Sequence, residues 1–65
     1  MIDSSEIYNA YLHNVLLVDN DDNRVRSFVD WYESEDDSDS GLAEIGLSNG
    51  KGYRQNEIKS IEIIK

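Results

Sequence analysis

NVLLVDNDDNRVRSFVDWYE, residues 14–33, is the stretch on which the fold turns. Val15-Leu16-Leu17-Val18 is a short run of β-forming side chains, closed on one side by Asn14 and on the other by Asp19-Asn20-Asp21-Asp22-Asn23. Asp and Asn bond their own backbone and accept left-handed conformations, so that polar block is a turn. From Arg24 to Glu33 the pattern alternates, with Val25, Ser27, Val29 and Trp31 on one face and Arg26, Phe28, Asp30 and Tyr32 on the other. Strand-like runs joined by a polar turn predict a hairpin.

Downstream, Glu33 to Gly41 is a polar loop, and Leu42 to Ser48 reads as a third strand with Ala43, Ile45 and Leu47 on one face. Asn49-Gly50 supplies the positive φ of a tight turn. Tyr53 to Gln55 then makes a short fourth strand, Asn56 to Lys59 a single 3₁₀-like turn, and Ile61 to Ile64 a fifth strand. Upstream, Asp3 to Asn14 reads as a short helix with Asp3, Ser4 or Ser5 as N-cap and Glu6 in capping-box relation to Asp3. Ile7, Tyr8, Tyr11 and Leu12 form its apolar stripe. Short strands joined by tight turns make an all-β, mainly antiparallel sandwich or small barrel, with the second strand bent to serve both halves. The expected core is Leu12, Val15, Leu17, Val25, Val29, Trp31, Ile45, Leu47, Ile58, Ile61 and Ile63.

Size and charge narrow the rest. The chain has 65 residues, 38% hydrophobic, with no Cys and no Pro, which fits a single domain spanning residues 1–65. A domain of this length buries only about 60% of its unfolded surface, so stability is thin. Fourteen acids against six bases give a net charge of -8, and mutual repulsion opposes compaction. No disulfide, thiolate zinc site or thiol nucleophile is available without cysteine. No run reaches the roughly 18 to 20 apolar residues of a membrane helix, and no basic segment leads into a signal-like apolar stretch. The expectation is a cytoplasmic protein with no membrane association. The dispersed bases Arg24, Arg26, Lys51, Arg54, Lys59 and Lys65 make nucleic acid a poor partner, because phosphate binding depends on basic side chains displacing counterions.

The helix, the five strands, the Asp/Asn turn after the first strand and the closing Ile58 to Ile64 run resemble the Sm-like small barrels. More narrowly, YLHNVLLVDNDDNRVRSFVDWYESEDD (11–37), GLAEIGL (41–47) and NEIKSIEIIK (56–65) are similar to small Sm-like proteins of Gram-positive bacteria. The resemblance covers Tyr11 to Lys65 and implies an Sm-like barrel that pairs strand edges into rings or dimers. Two positions depart from the family pattern. Asn23 and Ser27 stand where glycines are usual, in the turn after strand one and at the bend of strand two. Asn23 suits a left-handed turn and Ser27 is small. The family's RNA-binding residues do not carry over. Asp30 matches the first acid of that motif, but no asparagine follows it in the loop, and no Arg-Gly stands near Gln55 and Asn56.

Chemistry-bearing patterns are few. Asp19-x-Asp21-x-Asn23 has EF-hand spacing, yet Arg24 replaces the required glycine and Asp30 the bidentate glutamate, and strands replace the flanking helices. A polar turn is the better reading. His13, the single histidine, has no partner set for acid–base work and reads as a surface or helix-end residue. No cofactor, metal site or catalytic group is expected, and the chain reads as a non-enzyme. The acids Asp30, Glu33, Glu35, Asp36, Asp37, Asp39 and Glu44 have no base among them. A solvated loop is the commonest role of such runs, a basic protein partner the next, and ion binding follows. Asp30, Tyr32, Glu33, Glu35, Asp36, Asp37, Asp39 and Tyr53 are the candidate partner-binding residues. The sequence-based expectation is a non-catalytic protein-interaction or assembly module with an acidic face, self-associating through strand edges. Its alternatives are an RNA-binding Sm-like protein and an acidic DNA mimic that binds a basic protein.

Overall fold

A computed structural model of the chain describes residues 1–64. Lys65, one of the bases named above and the last residue of the Sm-like resemblance, lies outside the described residues. A helix α1 (Ser4–Ala10) precedes β1 (Asn14–Asp19), β2 (Arg24–Glu33), β3 (Glu44–Leu47), β4 (Gly52–Arg54), a 3₁₀ turn η1 (Gln55–Glu57) and β5 (Ile58–Ile63). All strand pairs are antiparallel, in one sheet of order β4-β3-β2-β1-β5. Among the described residues β4 and β5 do not pair, so the sheet is not closed, and what the structure establishes is a five-stranded antiparallel sheet carrying a short helix.

The β1–β2 hairpin forms where the alternation placed it, with Leu17 opposite Val25 and Val15 opposite Ser27. β2 serves both halves: its first half pairs with β1 and its second with β3. The changeover is a bulge. Val29 faces Leu47, while Trp31 faces Gly46, leaving Asp30 unmatched. An extra residue reverses which face each later side chain takes. Trp31 therefore turns outward and is 46% exposed, and Tyr32 turns inward opposite the buried Ile45 and packs against the core. The expectation of a core Trp31 is corrected by that single residue. Gly46 accommodates the indole: a Cβ there would lie 3.1 Å from the Cβ of Trp31.

Two further core assignments are corrected. The helix ends at Ala10 rather than Asn14. Leu12 takes φ +65°, its N–H donates to Val29 O, and its side chain is 56% exposed. The chain leaves the helix because Leu12 and His13 hydrogen-bond across to Val29, so Ala10 rather than Leu12 joins Ile7 in the core. Ile63 shares a register with buried Val15 but sits on an edge strand and is 45% exposed. Strand β5 begins at Ile58, three residues earlier than expected. Its register shifts between Ser60 and Ile58, opposite Val18 and Asp19, which lets Ile58 reach the core ahead of Ile61. The core comprises Ile7, Ala10, Val15, Leu17, Val29, Ala43, Ile45, Leu47 and Ile58, with Val25 and Ile61 partly buried against it.

Helix α1 has the expected acidic N-terminus, where the Asp3 N–H donates to Glu6 Oε2 at 3.3 Å. One buried polar side chain ties the N-terminal segment down. Gln55, placed at the end of strand four by its sequence, instead opens η1. Its N–H donates to Ala43 O and its Nε2 to Ile2 O at 2.6 Å.

Candidate functional site

The acidic segment after β2 is organised by its serines. The amides of Asp37 and Ser38 donate to Ser34 O, and the Ser34 hydroxyl donates to Asp37 Oδ2 at 3.2 Å. Ser38 Oγ donates to Glu44 Oε2 at 2.6 Å, and Leu42 N–H donates to Ser40 Oγ. Gly41, at φ +75°, provides the left-handed residue that returns the chain to β3. These bonds use the hydroxyls, the backbone and the carboxylates of Asp37 and Glu44. They leave the carboxylates of Glu35, Asp36 and Asp39 turned to water, all three residues being exposed.

Glu44 separates itself from the other acids. It accepts from Ser38 and stands 3.6 Å from Arg54 Nε, so its charge is answered within the fold. The other ion pair among the described residues joins Lys59 to Asp22. Neither base reaches Glu33, Glu35, Asp36, Asp37 or Asp39.

Tyr32 is the hinge of this end. Its ring meets Tyr8 edge-on, with centroids 5.4 Å apart and planes at 69°, and meets Tyr11 at 6.0 Å and 35°. Tyr8 is 61% exposed and Tyr11 37%. Loss of hydration on burial, with the nearby charge of Glu35 and lesser contributions from Tyr8, Asp36 and Asp37, raises the Tyr32 phenol above its ordinary pKa. Tyr32 stands near the end of β2, and the turn closed on Ser34 O holds Glu35, Asp36 and Asp37 just beyond that end. Tyr8 on α1 and Tyr11 just past its end pack against Tyr32, although helical spacing assigns both to an apolar stripe. Their exposure is decided by where the helix seats, which spacing alone does not encode.

Tyr53 goes elsewhere. It is partly buried on β4 opposite Ile45 and lines an open groove of about 450 Å³ with Trp31, Lys51 and Arg54. A smaller cavity of about 200 Å³, on which Tyr53 also borders, is lined by Asp19, Asn20, Asp21 and Glu57. Asp30 is exposed at the β2 bulge. The candidate residues therefore fall into an acidic aromatic end and a separate β4 groove.

The Asp19–Asn23 turn spends its acid on its own backbone. Asp19 Oδ1 accepts from the amides of Asp21 and Asn23, both at 2.9 Å, and Oδ2 accepts from Asn23 Nδ2 at 3.2 Å. The Asn23 amide in particular holds the Asp19 carboxyl below the usual carboxylate range. Asp22, not Asn23, takes the left-handed conformation, at φ +65°. Asn20 Nδ2 donates to Asn56 O at 2.7 Å and fastens the turn to η1. Among the described residues no three His, Cys, Asp or Glu side chains converge with metal-binding geometry, and no helix is long and apolar enough to cross a membrane. His13 is exposed just beyond the end of α1.

No protein-family profile, curated protein or solved structure matches the chain.

Proposed function

We propose that the chain is a non-catalytic, Sm-like interaction module that assembles through its strand edges and holds its acidic segment out towards a protein partner. The observation that carries this reading is the pair of open edges: in the order β4-β3-β2-β1-β5, each outer strand has one side without a neighbour among the described residues. Unpaired strand backbone is a template for a further strand. The Sm-like assignment draws support from the strand order, from a β2 shared between both halves, and from a 3₁₀ turn linking β4 to β5. Protein is favoured over nucleic acid as partner by the charge of -8 and by the engagement of Arg54 and Lys59 in ion pairs with Glu44 and Asp22.

The β5 edge also specifies a test. Ile64 N–H donates to Asn14 O. Antiparallel strands alternate in amide direction, so the amides of Glu62 and Ser60 face β1 and those of Ile61 and Ile63 face the open side. Ile63→Pro removes an outward donor while keeping the β1 ladder, a change that edge strands tolerate. Light scattering of the wild-type chain is expected to give a multiple of 7.5 kDa that Ile63→Pro reduces to the monomer. A wild-type mass of one chain across the accessible concentration range defeats edge assembly. Tight retention of oligo-U on filters at low salt would replace this reading with the RNA-binding alternative, and displacement of DNA from a basic protein would favour the mimic.

A further inference from the structure

Soluble domains seldom leave adjoining aromatic rings in water without a use for them. Tyr8 is 61% exposed and Tyr11 37%, and both are packed on Tyr32 rather than scattered. Tyr32 leans on the core beneath, so the patch is anchored: α1 supplies Tyr8, the residue after the helix Tyr11, and the end of β2 the third ring. The chain continues from Tyr32 directly into Glu33, Glu35, Asp36 and Asp37, and the turn that Ser34 O closes on the amides of Asp37 and Ser38 keeps these acids at the end of β2. The two described ion pairs lie elsewhere.

This pairing of surfaces selects a ligand chemistry. Tyrosine faces attract cations through their negative quadrupole. A guanidinium is planar and weakly hydrated, so it stacks on such a face while its edge forms paired hydrogen bonds with carboxylates. An ammonium group is a compact, strongly hydrated point charge and exploits the rings less well. We propose that the Tyr8–Tyr11–Tyr32 patch and its carboxylate rim are a docking surface for an arginine-bearing segment of a basic protein. The proposal rests on the reading of the chain as a non-catalytic interaction module and is independent of edge assembly, since the patch involves neither β4 nor β5.

The test titrates the intact, isotopically labelled chain with three synthetic peptides of equal length, in which glycine and serine separate arginines, lysines or glutamines. The expected result is amide shifts centred on Tyr8, Tyr11, Tyr32 and residues 35–37, tightest for the arginine peptide and absent for the glutamine peptide. Affinity should weaken as salt screens the rim. Tyr8→Ala, at a largely exposed position, should weaken arginine-peptide binding about tenfold, and Tyr8→Phe should restore it by returning the aromatic face. Combined Glu35→Gln, Asp36→Asn and Asp37→Asn should weaken it further and flatten the salt dependence. Amide spectra away from the patch report whether each variant still folds, and Tyr8→Leu serves in place of Tyr8→Ala if that variant does not. Equal affinity for arginine and lysine peptides with no effect of Tyr8→Ala overturns the proposal, leaving only diffuse attraction. So does absence of binding at low salt, a shift pattern centred on the Asp19–Asn23 turn, or shifts at Tyr8 and Tyr32 on diluting the protein alone, which would mean a second copy covers the patch. Chain mass is read separately, so a monomer that binds arginine peptides removes edge assembly and leaves this surface standing.

Discussion

Strand β2 is entered and left through acid-rich segments that use their carboxylates in opposite ways. At its start, Asp19 accepts from Asp21 and Asn23, and Asn20 ties the turn to η1. The alternation of the following strand is regular as far as Val29. At its end, Asp30 bulges, Trp31 is thrown outward, and the chain runs into carboxylates that the serine-based turns leave in water. Both segments are acid-rich, but the first mixes Asp with Asn and the second mixes Asp and Glu with Ser. The difference is whether an acid has amides within reach: a tight turn places N–H groups around Asp19, while Ser34, Ser38 and Ser40 take over that work in the longer segment.

The largest effect should come from the bulge itself. Val29→Ala, just before it, is expected to cost about 2 to 3 kcal/mol through lost burial and a residual cavity. Trp31→Ala, two residues on, should cost less than Val29→Ala, because about half of the residue is already exposed and no enclosed cavity is left. Urea melts of the two variants compare them directly. Equal losses would mean that Trp31 is buried and the bulge misplaced.

Next in size is the contrast between the two acids. Asp19→Ala should lower Tm by several degrees by orphaning the amides of the turn, whereas Asp36→Ala should leave Tm unchanged or slightly raised. A reversed order in thermal melts would place the structural acid on the wrong side of β2.

The pH response sharpens the same contrast. The folded pKa of Asp19 is lowered, so its contribution is present above the ordinary value of 3.8 and fades as pH falls through the folded pKa. Asp19→Asn should therefore show a shallower loss of Tm on acidification. Tyr32 has the opposite sign. Its pKa is raised, so the folded state is undisturbed below 10 and loses stability as pH rises from there through the folded value. Tyr32→Phe should remove that alkaline component in a melting series.

The smallest expected effect is that of salt. The exposed acids lie within a Debye length or two of one another, about 8 Å each at physiological salt. Moderate NaCl should raise Tm by relieving their repulsion. Neutralising residues 35, 36 and 37 together should reduce that gain, and a falling Tm would show that attraction dominates instead.

Most of the strand pattern was legible because period-two alternation and Asp/Asn/Gly turns are local signals. The hairpin, the inward face of Ala43, Ile45 and Leu47, and the capped start of α1 all follow from neighbours in the chain. Alternation puts Trp31 in the core and the structure turns it outward, because a bulge depends on which strand lies alongside: β2 exchanges β1 for β3 near Val29, and no residue type announces that exchange. Leu12 leaves its apolar stripe for a similar reason. Its helical spacing is overridden by bonds from Leu12 and to His13 that involve Val29, distant in sequence. Of the candidate site, the acids and Tyr32 could be picked out from composition, but Tyr8 and Tyr11 read equally well as core. Tyr53 could be named but not located, since its groove is assembled from β2, β3, β4, the β3–β4 turn and η1.

The sequence by itself determined the periodicity of the strands, the position of the tight turns and the excess of negative charge, because each is written in residues a few positions apart. Only the folded chain settles which side of the bulge faces water, that among the described residues β4 and β5 do not pair, and that Tyr8 and Tyr11 meet Tyr32. Those outcomes depend on competition among distant backbone partners and on where the helix finds its seat, quantities that exist only once the chain has folded.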